Sequence, residues 1–134
     1  MHRQFDRSFD SLSALYEFAE KALMAHDIGE AVRFPIHLAM EELFTNMVKY
    51  HPDGDLEIGV DLDVEDGLVT VTLTESGVDE FDVTRPREID TTASLEARRP
   101  GGLGLFLIQH IVDTLEYDYR DKRSTVVFTK RSGN

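Results

Sequence analysis

The chain has no cysteine and no tryptophan among its 134 residues. Without cysteine there is no disulfide, no thiolate metal ligand and no cysteine nucleophile. A reducing cytoplasm is the compartment that fits. Basic residues are scarce: 14 Lys and Arg stand against 26 Asp and Glu, a formal net charge of −12. A nucleic-acid partner requires a basic face to neutralise phosphates, and an anionic membrane surface requires the same, so neither is expected. Long apolar runs are missing too. No stretch approaches the roughly 20 apolar residues of a bilayer span. The opening M-H-R-Q-F-D-R-S-F-D has no apolar core of the signal-peptide kind. An anionic ligand would need a local device to hold it against the global charge: a helix N-terminus, a few arginines or a divalent cation.

What is present suits a globular fold. The hydrophobic content is 41%, and the length fits one domain spanning residues 1–134. Arg3–Phe9 alternates weakly, as an edge strand would. Asp10 or Ser11 then caps a helix carrying Leu12, Leu15, Tyr16, Ala19, Ala22 and Leu23 at helical spacing. A second helix is predicted to start near Pro35, a residue favoured in a first turn, and to end at the turn His51-Pro52-Asp53-Gly54-Asp55. Its broad apolar face includes Leu38, Leu43, Met47 and Tyr50. L-E-I-G-V-D-L-D-V puts Leu56, Ile58, Val60, Leu62 and Val64 on one side of a strand. After the turn Glu65-Asp66-Gly67, Val69, Val71 and Leu73 return on a second strand.

Residues 76–101 mix acids, arginines, prolines and glycines, and are too long for an ordinary connection. Such loops are active-site lids, binding loops or disordered segments. A third helix is predicted from about Leu103 to Thr114, with Leu105, Phe106, Ile108 and Ile111 in the core. A final hairpin turns at Asp121-Lys122-Arg123. This order describes an α+β fold: a two-layer sandwich with a mostly antiparallel sheet and helices on one face.

Three short features carry possible chemistry. Glu42 and Asn46 stand four apart on the second helix, on one face and about a turn from each other. An amide oxygen suits a hard cation such as Mg2+, and a carboxylate beside it can deprotonate a hydroxyl. Taken alone the pair is weak evidence, because polar pairs at this spacing are common on solvated helix faces. Glu75-Ser76-Gly77 falls where a strand meets the long loop. The acid can accept from the amino group of a base, and the glycine permits close approach; a plain turn with a solvated acid reads the same way. Gly101-Gly102-Leu103-Gly104 opens the third helix, where main-chain N–H groups favour anions. It lacks the Lys-Ser/Thr of a P-loop and the spacing of the dinucleotide fingerprint, and a glycine-rich helix entry is common.

Their order is more specific than any of them. Helix E-x-x-x-N, strand-end acid-x-Gly, long loop and G-G-L-G-L before an apolar helix resemble the histidine-kinase-like ATPase superfamily with the Bergerat ATP-binding fold. The branch most similar is the small serine-protein kinases that act as anti-sigma factors, and the resemblance runs from about Pro35 to Lys130. It implies that Asn46 coordinates Mg2+ on the ATP phosphates and that Glu42 is the catalytic base. It implies that Glu75 binds the adenine amino group with Gly77 beside the ring. Residues 76–101 would form the ATP lid, Gly101, Gly102, Leu103 and Gly104 would line the phosphate end, and Arg98 or Arg99 would reach the terminal phosphate.

The chain also departs from the branch's pattern. Glu75 stands where the family has Asp, Asp79 where the wider superfamily often has Gly, and Tyr50 where the branch often has His. One extra residue separates Gly77 from Phe81-Asp82. The implied function is an ATP-dependent regulatory serine-protein kinase. It would switch an anti-sigma-antagonist-type protein or a sigma factor, as a cytoplasmic homodimer. The alternative is a non-catalytic module that only sequesters its partner. A detached histidine-kinase domain would need a phosphoacceptor on a dimerisation hairpin. None of His2, His26, His37, His51 or His110 lies on one.

Overall fold

Alternation builds the sheet. The structure, a computed structural model, describes residues 1–84 and 102–132, the side chains of 102–104 excepted. Five strands, β1 (His2–Asp6), β2 (Glu57–Glu65), β3 (Leu68–Ser76), β4 (Thr114–Arg120) and β5 (Arg123–Arg131), form one sheet in the order β1-β2-β3-β5-β4. Every pairing is antiparallel. Ile58, Val60 and Leu62 on β2, Val69, Val71 and Leu73 on β3, and Val126 and Phe128 on β5 are buried on the inner face. Both hairpins turn on two residues with positive φ, Asp66 (51°) with Gly67 (78°) and Asp121 (50°) with Lys122 (65°). That is the turn geometry whose twist matches the strands.

Among the described residues, three α-helices, α1 (Leu12–Ala25), α2 (Glu30–Tyr50) and α3 (Gly102–Ile111), accompany the sheet, and a short 3-10 turn at Phe9–Ser11 leads into α1. Ser8 caps that turn by accepting from the Asp10 amide. Buried α1 and α2 side chains pack with the inner face of the sheet in a single core; Phe5 meets Phe18 and Phe44 edge-on at 5.6 and 6.4 Å. The helix-backed antiparallel sheet is the expected α+β sandwich.

Several expectations are corrected. α2 starts at Glu30, five residues before Pro35. The Gly29 carbonyl accepts from both Val32 and Arg33, and buried Ile28 pins the entry, so the helix is nucleated upstream. Pro35 then lies inside the helix, in its second turn, and its missing N–H forfeits one backbone bond. α3 ends at Ile111 rather than Thr114, because Asp113 donates to the Thr129 carbonyl and the chain joins the sheet. Tyr16, Leu56 and Phe106 are exposed rather than buried. Tyr16 spends its ring on His37 and its hydroxyl on Glu20. Leu56 precedes β2 and is outside its alternation, while Phe106 lies against His110.

Candidate functional site

The inward file of β3 runs Val69, Val71, Leu73 and then Glu75. Period-two alternation therefore carries a carboxylate into the layer between sheet and helices. Its side chain is 2% exposed, so this acid is not a solvated turn residue. On α2, Asn46 is 4% exposed among Leu43, Phe44 and Met47. Asn46 and Glu75 line the same small cavity of about 10 Å3, with His51, Phe81 and Val83 around it. Two of the three sequence features thus meet in one place.

Burying an ionised carboxylate without partners is prohibitive. Glu75 has two. Arg7 Nη1 donates to its Oε1 at 2.8 Å, and His51 Nδ1 lies 3.0 Å from its Oε2. The Arg7 side chain is itself only 5% exposed. Its Nη1 also donates to the Met47 carbonyl at 3.1 Å and its Nε to the Asp55 carbonyl at 2.7 Å. Four segments, the β1–α1 connection, the α2 C-terminus, the α2–β2 connection and the end of β3, are tied together by this one guanidinium. Neither Arg7 nor His51 stood out in the sequence. The only signal for His51 was its place in the helix-ending turn, and Arg7 had none.

Asn46 is half satisfied. Its Nδ2 donates to the Glu42 carbonyl one turn back at 2.6 Å, whereas its buried Oδ1 has no hydrogen-bond partner among the described residues. An orphaned buried acceptor of this kind costs roughly 1–3 kcal/mol unless a ligand uses it. Glu42 is half-buried on the same helix face.

Gly77 has φ +69°, and a Cβ there would come within 2.7 Å of Asp55 Oδ1. Both facts call for glycine. Beyond it, Val78 donates to the Lys122 carbonyl, so the β4–β5 turn borders this end of the sheet. Asp79, the unusual residue here, is held by Lys122 at 2.6 Å. That contact moves the Asp79 carboxyl below and the Lys122 ammonium above their ordinary ranges. Phe81 stacks on Tyr50 at 4.9 Å, and its amide donates to the Tyr117 hydroxyl at 2.9 Å. Burial pushes the Tyr117 hydroxyl up, against the lowering effect of that bond. Phe81 and Val83 close the cavity down to about the volume of one water.

The α3 backbone begins at Gly102, so Gly102, Leu103 and Gly104 occupy its first turn. Arg98, Arg99, Gly101 and the rest of 85–101, most of the expected lid at 76–101, lie outside the described residues.

A wider groove, about 440 Å3, lies between α1 and α2 and includes Tyr16, Glu20, Arg33 and His37. Its charges pair as ions, with Arg33 Nε 2.7 Å from Glu20 Oε1, and the Tyr16 hydroxyl donates to Glu20 Oε2 at 2.9 Å, but Glu20 Oε1, Arg33 Nε and His37 Nε2 make no hydrogen bond among the described residues. Burial pushes the Glu20 carboxyl up, but Tyr16, His37 and Arg33 together hold it below its usual value.

A buried acid at a strand end and an asparagine on the neighbouring helix line one cavity, and the sequence places the chain in a family. The chain matches the Histidine kinase-like ATPase domain over residues 5–130 and belongs to that family. Within the family it is similar to the Serine-protein kinase RsbW of Listeria monocytogenes. The two are 37% identical over 101 residues, which are 71% of this chain and 63% of that protein. The RsbW of Listeria innocua is 36% identical over the same shares. The chain therefore spans less than two thirds of these relatives' length.

The RsbU and RsbW domains of Rv1364c from Mycobacterium tuberculosis share the fold. Their TM-score is 0.71 at 16% identity, over 98% of this chain and 31% of that one. The catalytic domain of histidine kinase ThkA shares it with a TM-score of 0.56 at 15% identity, over 98% of this chain and 96% of that one. The Bergerat-type fold expected from the motifs is thus the fold observed.

Proposed function

We propose that the chain is an ATP-dependent regulatory serine-protein kinase of the anti-sigma-factor kind, its 134 residues acting as one domain. The observation that carries this reading is the pairing of buried Glu75 with the orphaned Oδ1 of Asn46 in a single cleft of a histidine-kinase-like ATPase domain. Glu75 would accept from the adenine amino group, with Gly77 beside the ring. Asn46 Oδ1 is the kind of neutral oxygen Mg2+ takes, and the ion when bound would neutralise charge on the phosphates. Main-chain N–H groups at the start of α3, around Gly102, Leu103 and Gly104, would face those phosphates. Gly101, Arg98 and Arg99 precede them in the chain and would complete the phosphate end.

Glu42 would take the proton from a serine hydroxyl of the partner. The serine oxygen then bonds to the terminal phosphorus as its bond to the bridging oxygen breaks, releasing ADP. The partner would be an anti-sigma-antagonist-type protein or a sigma factor, and the kinase a cytoplasmic homodimer.

Calorimetry with Mg-ATP tests the nucleotide step. The natural protein should bind, and Asn46→Ala should bind at least about tenfold more weakly; absence of heat and of thermal shift in both sinks the reading. Phosphate incorporation into a candidate antagonist tests the kinase step, and Glu42→Ala should abolish it while keeping partner binding.

A second reading, a partner-binding module without turnover, is favoured by one observation. The cleft has only about 10 Å3 free, and both Glu75 oxygens are already engaged. Partner binding without any phosphate transfer would decide for it.

A further inference from the structure

We propose that Arg7 is the positioning residue for base selection, holding the longer Glu75 at the depth and tilt where it reads the six-position of a purine. The inference rests on the nucleotide reading above. Glu75 carries one methylene more than the aspartate common in the family, so an unrestrained carboxylate would project further into the cleft. Arg7 draws it back. Its guanidinium is anchored on the Asp55 and Met47 carbonyls at 2.7 and 3.1 Å and grips Glu75 Oε1 at 2.8 Å.

Three contacts from one planar group fix both position and orientation, which a point-charge ammonium cannot do. A carboxylate has about four acceptor positions. Arg7 and His51 use one on each oxygen, which leaves capacity for an exocyclic amine. A carbonyl at the same ring position would instead face the carboxylate and be repelled.

Gly54 belongs to the same device. A Cβ on it would come within 2.5 Å of Arg7 Nη2 and 2.6 Å of Cζ. The turn after α2 must therefore lack a side chain for the guanidinium to lie where it does.

The experiment measures dissociation constants for Mg-ATP and Mg-inosine triphosphate, whose ring bears a carbonyl in place of the amine. The natural protein should prefer ATP by at least about tenfold. Arg7→Met should bring the ratio close to one, and Arg7→Lys should restore part of it. Arg7→Met removes a buried partner, so Gly54→Ala serves as a second variant. It keeps every charge, displaces the guanidinium together with Val78 Cγ1, which the new Cβ would approach to 2.8 Å, and should also collapse the ratio. Unequal loss for the two nucleotides supports positioning. A ratio unchanged in folded Arg7→Lys and Gly54→Ala overturns the inference and leaves the nucleotide reading intact. Failure of the natural protein to bind either nucleotide overturns both.

Discussion

Replacing Arg7 by methionine should destabilise the fold by about 3–5 kcal/mol, the range for stripping one partner from a buried ion pair. The structure supports that magnitude. The Arg7 and Glu75 side chains are 5% and 2% exposed, so water cannot replace what is lost. The variant deletes a charge-assisted bond to Glu75 and leaves the Asp55 carbonyl without its Arg7 donor, while the Met47 carbonyl keeps its bond from the His51 amide. Glu75→Leu should cost a similar amount, because the guanidinium is then buried unpaired.

The double variant Arg7→Met/Glu75→Leu removes both charges together. It should recover most of the loss, ending within about 1–2 kcal/mol of the natural protein. Urea unfolding followed by far-UV circular dichroism reads all four corners of the cycle. The melting temperature of either single variant should fall by roughly 10–20 °C. Single losses below about 1 kcal/mol that simply add in the double variant would refute the reasoning. Such values would mean that the pair is solvated and does not organise the site.

Three further outcomes are expected. Gly77→Ala should lose about 1–3 kcal/mol in the same assay, since φ +69° and the 2.7 Å approach to Asp55 are both incompatible with a side chain. Acid titration of stability should show the Glu20 cluster. Its carboxyl is held below the ordinary value of 4.5 in the folded state, so its contribution is complete above that value and vanishes as pH falls through the lower folded one. Glu20→Gln should flatten the loss below about pH 4.5, and an unchanged acid limb would contradict it. Phe81→Ala should speed association of a fluorescent ATP analogue in stopped flow, because Phe81 closes the cleft against Tyr50; a slower or unaltered rate would contradict that role.

Alternation and turn chemistry made most of the sheet legible. Ile58 to Leu62 and Val69 to Leu73 face inward as read, and the two-residue turns at Asp66-Gly67 and Asp121-Lys122 fall where the polar clusters stand. Extending the β3 file by one step would have shown Glu75 to be buried. The helix boundaries were less legible, because Pro35 marks a first turn only when nothing upstream nucleates one, and Gly29 does. Exposed Tyr16 and Phe106 show a further limit: helical spacing reports a face, but ring contacts at its margin decide which members are covered. The partners of Glu75 were not legible at all. Local pattern has no term linking residue 7 to residue 75, and the long-range pairing is set by β1 joining β2 and β2 joining β3.

That separation has a kinetic consequence. Arg7 and Glu75 are 68 positions apart in sequence, whereas the two hairpins close through two-residue turns. Local pairs can form early at small entropic cost, while the Arg7 grip must await closure of a large loop and the docking of β1 on its neighbour. Substitutions at Arg7 and Gly54 should then accelerate unfolding far more than they slow refolding, the signature of contacts that arise after the rate-limiting barrier. The buried acid of the cleft would be the last part of the molecule to find its place and the first to lose it.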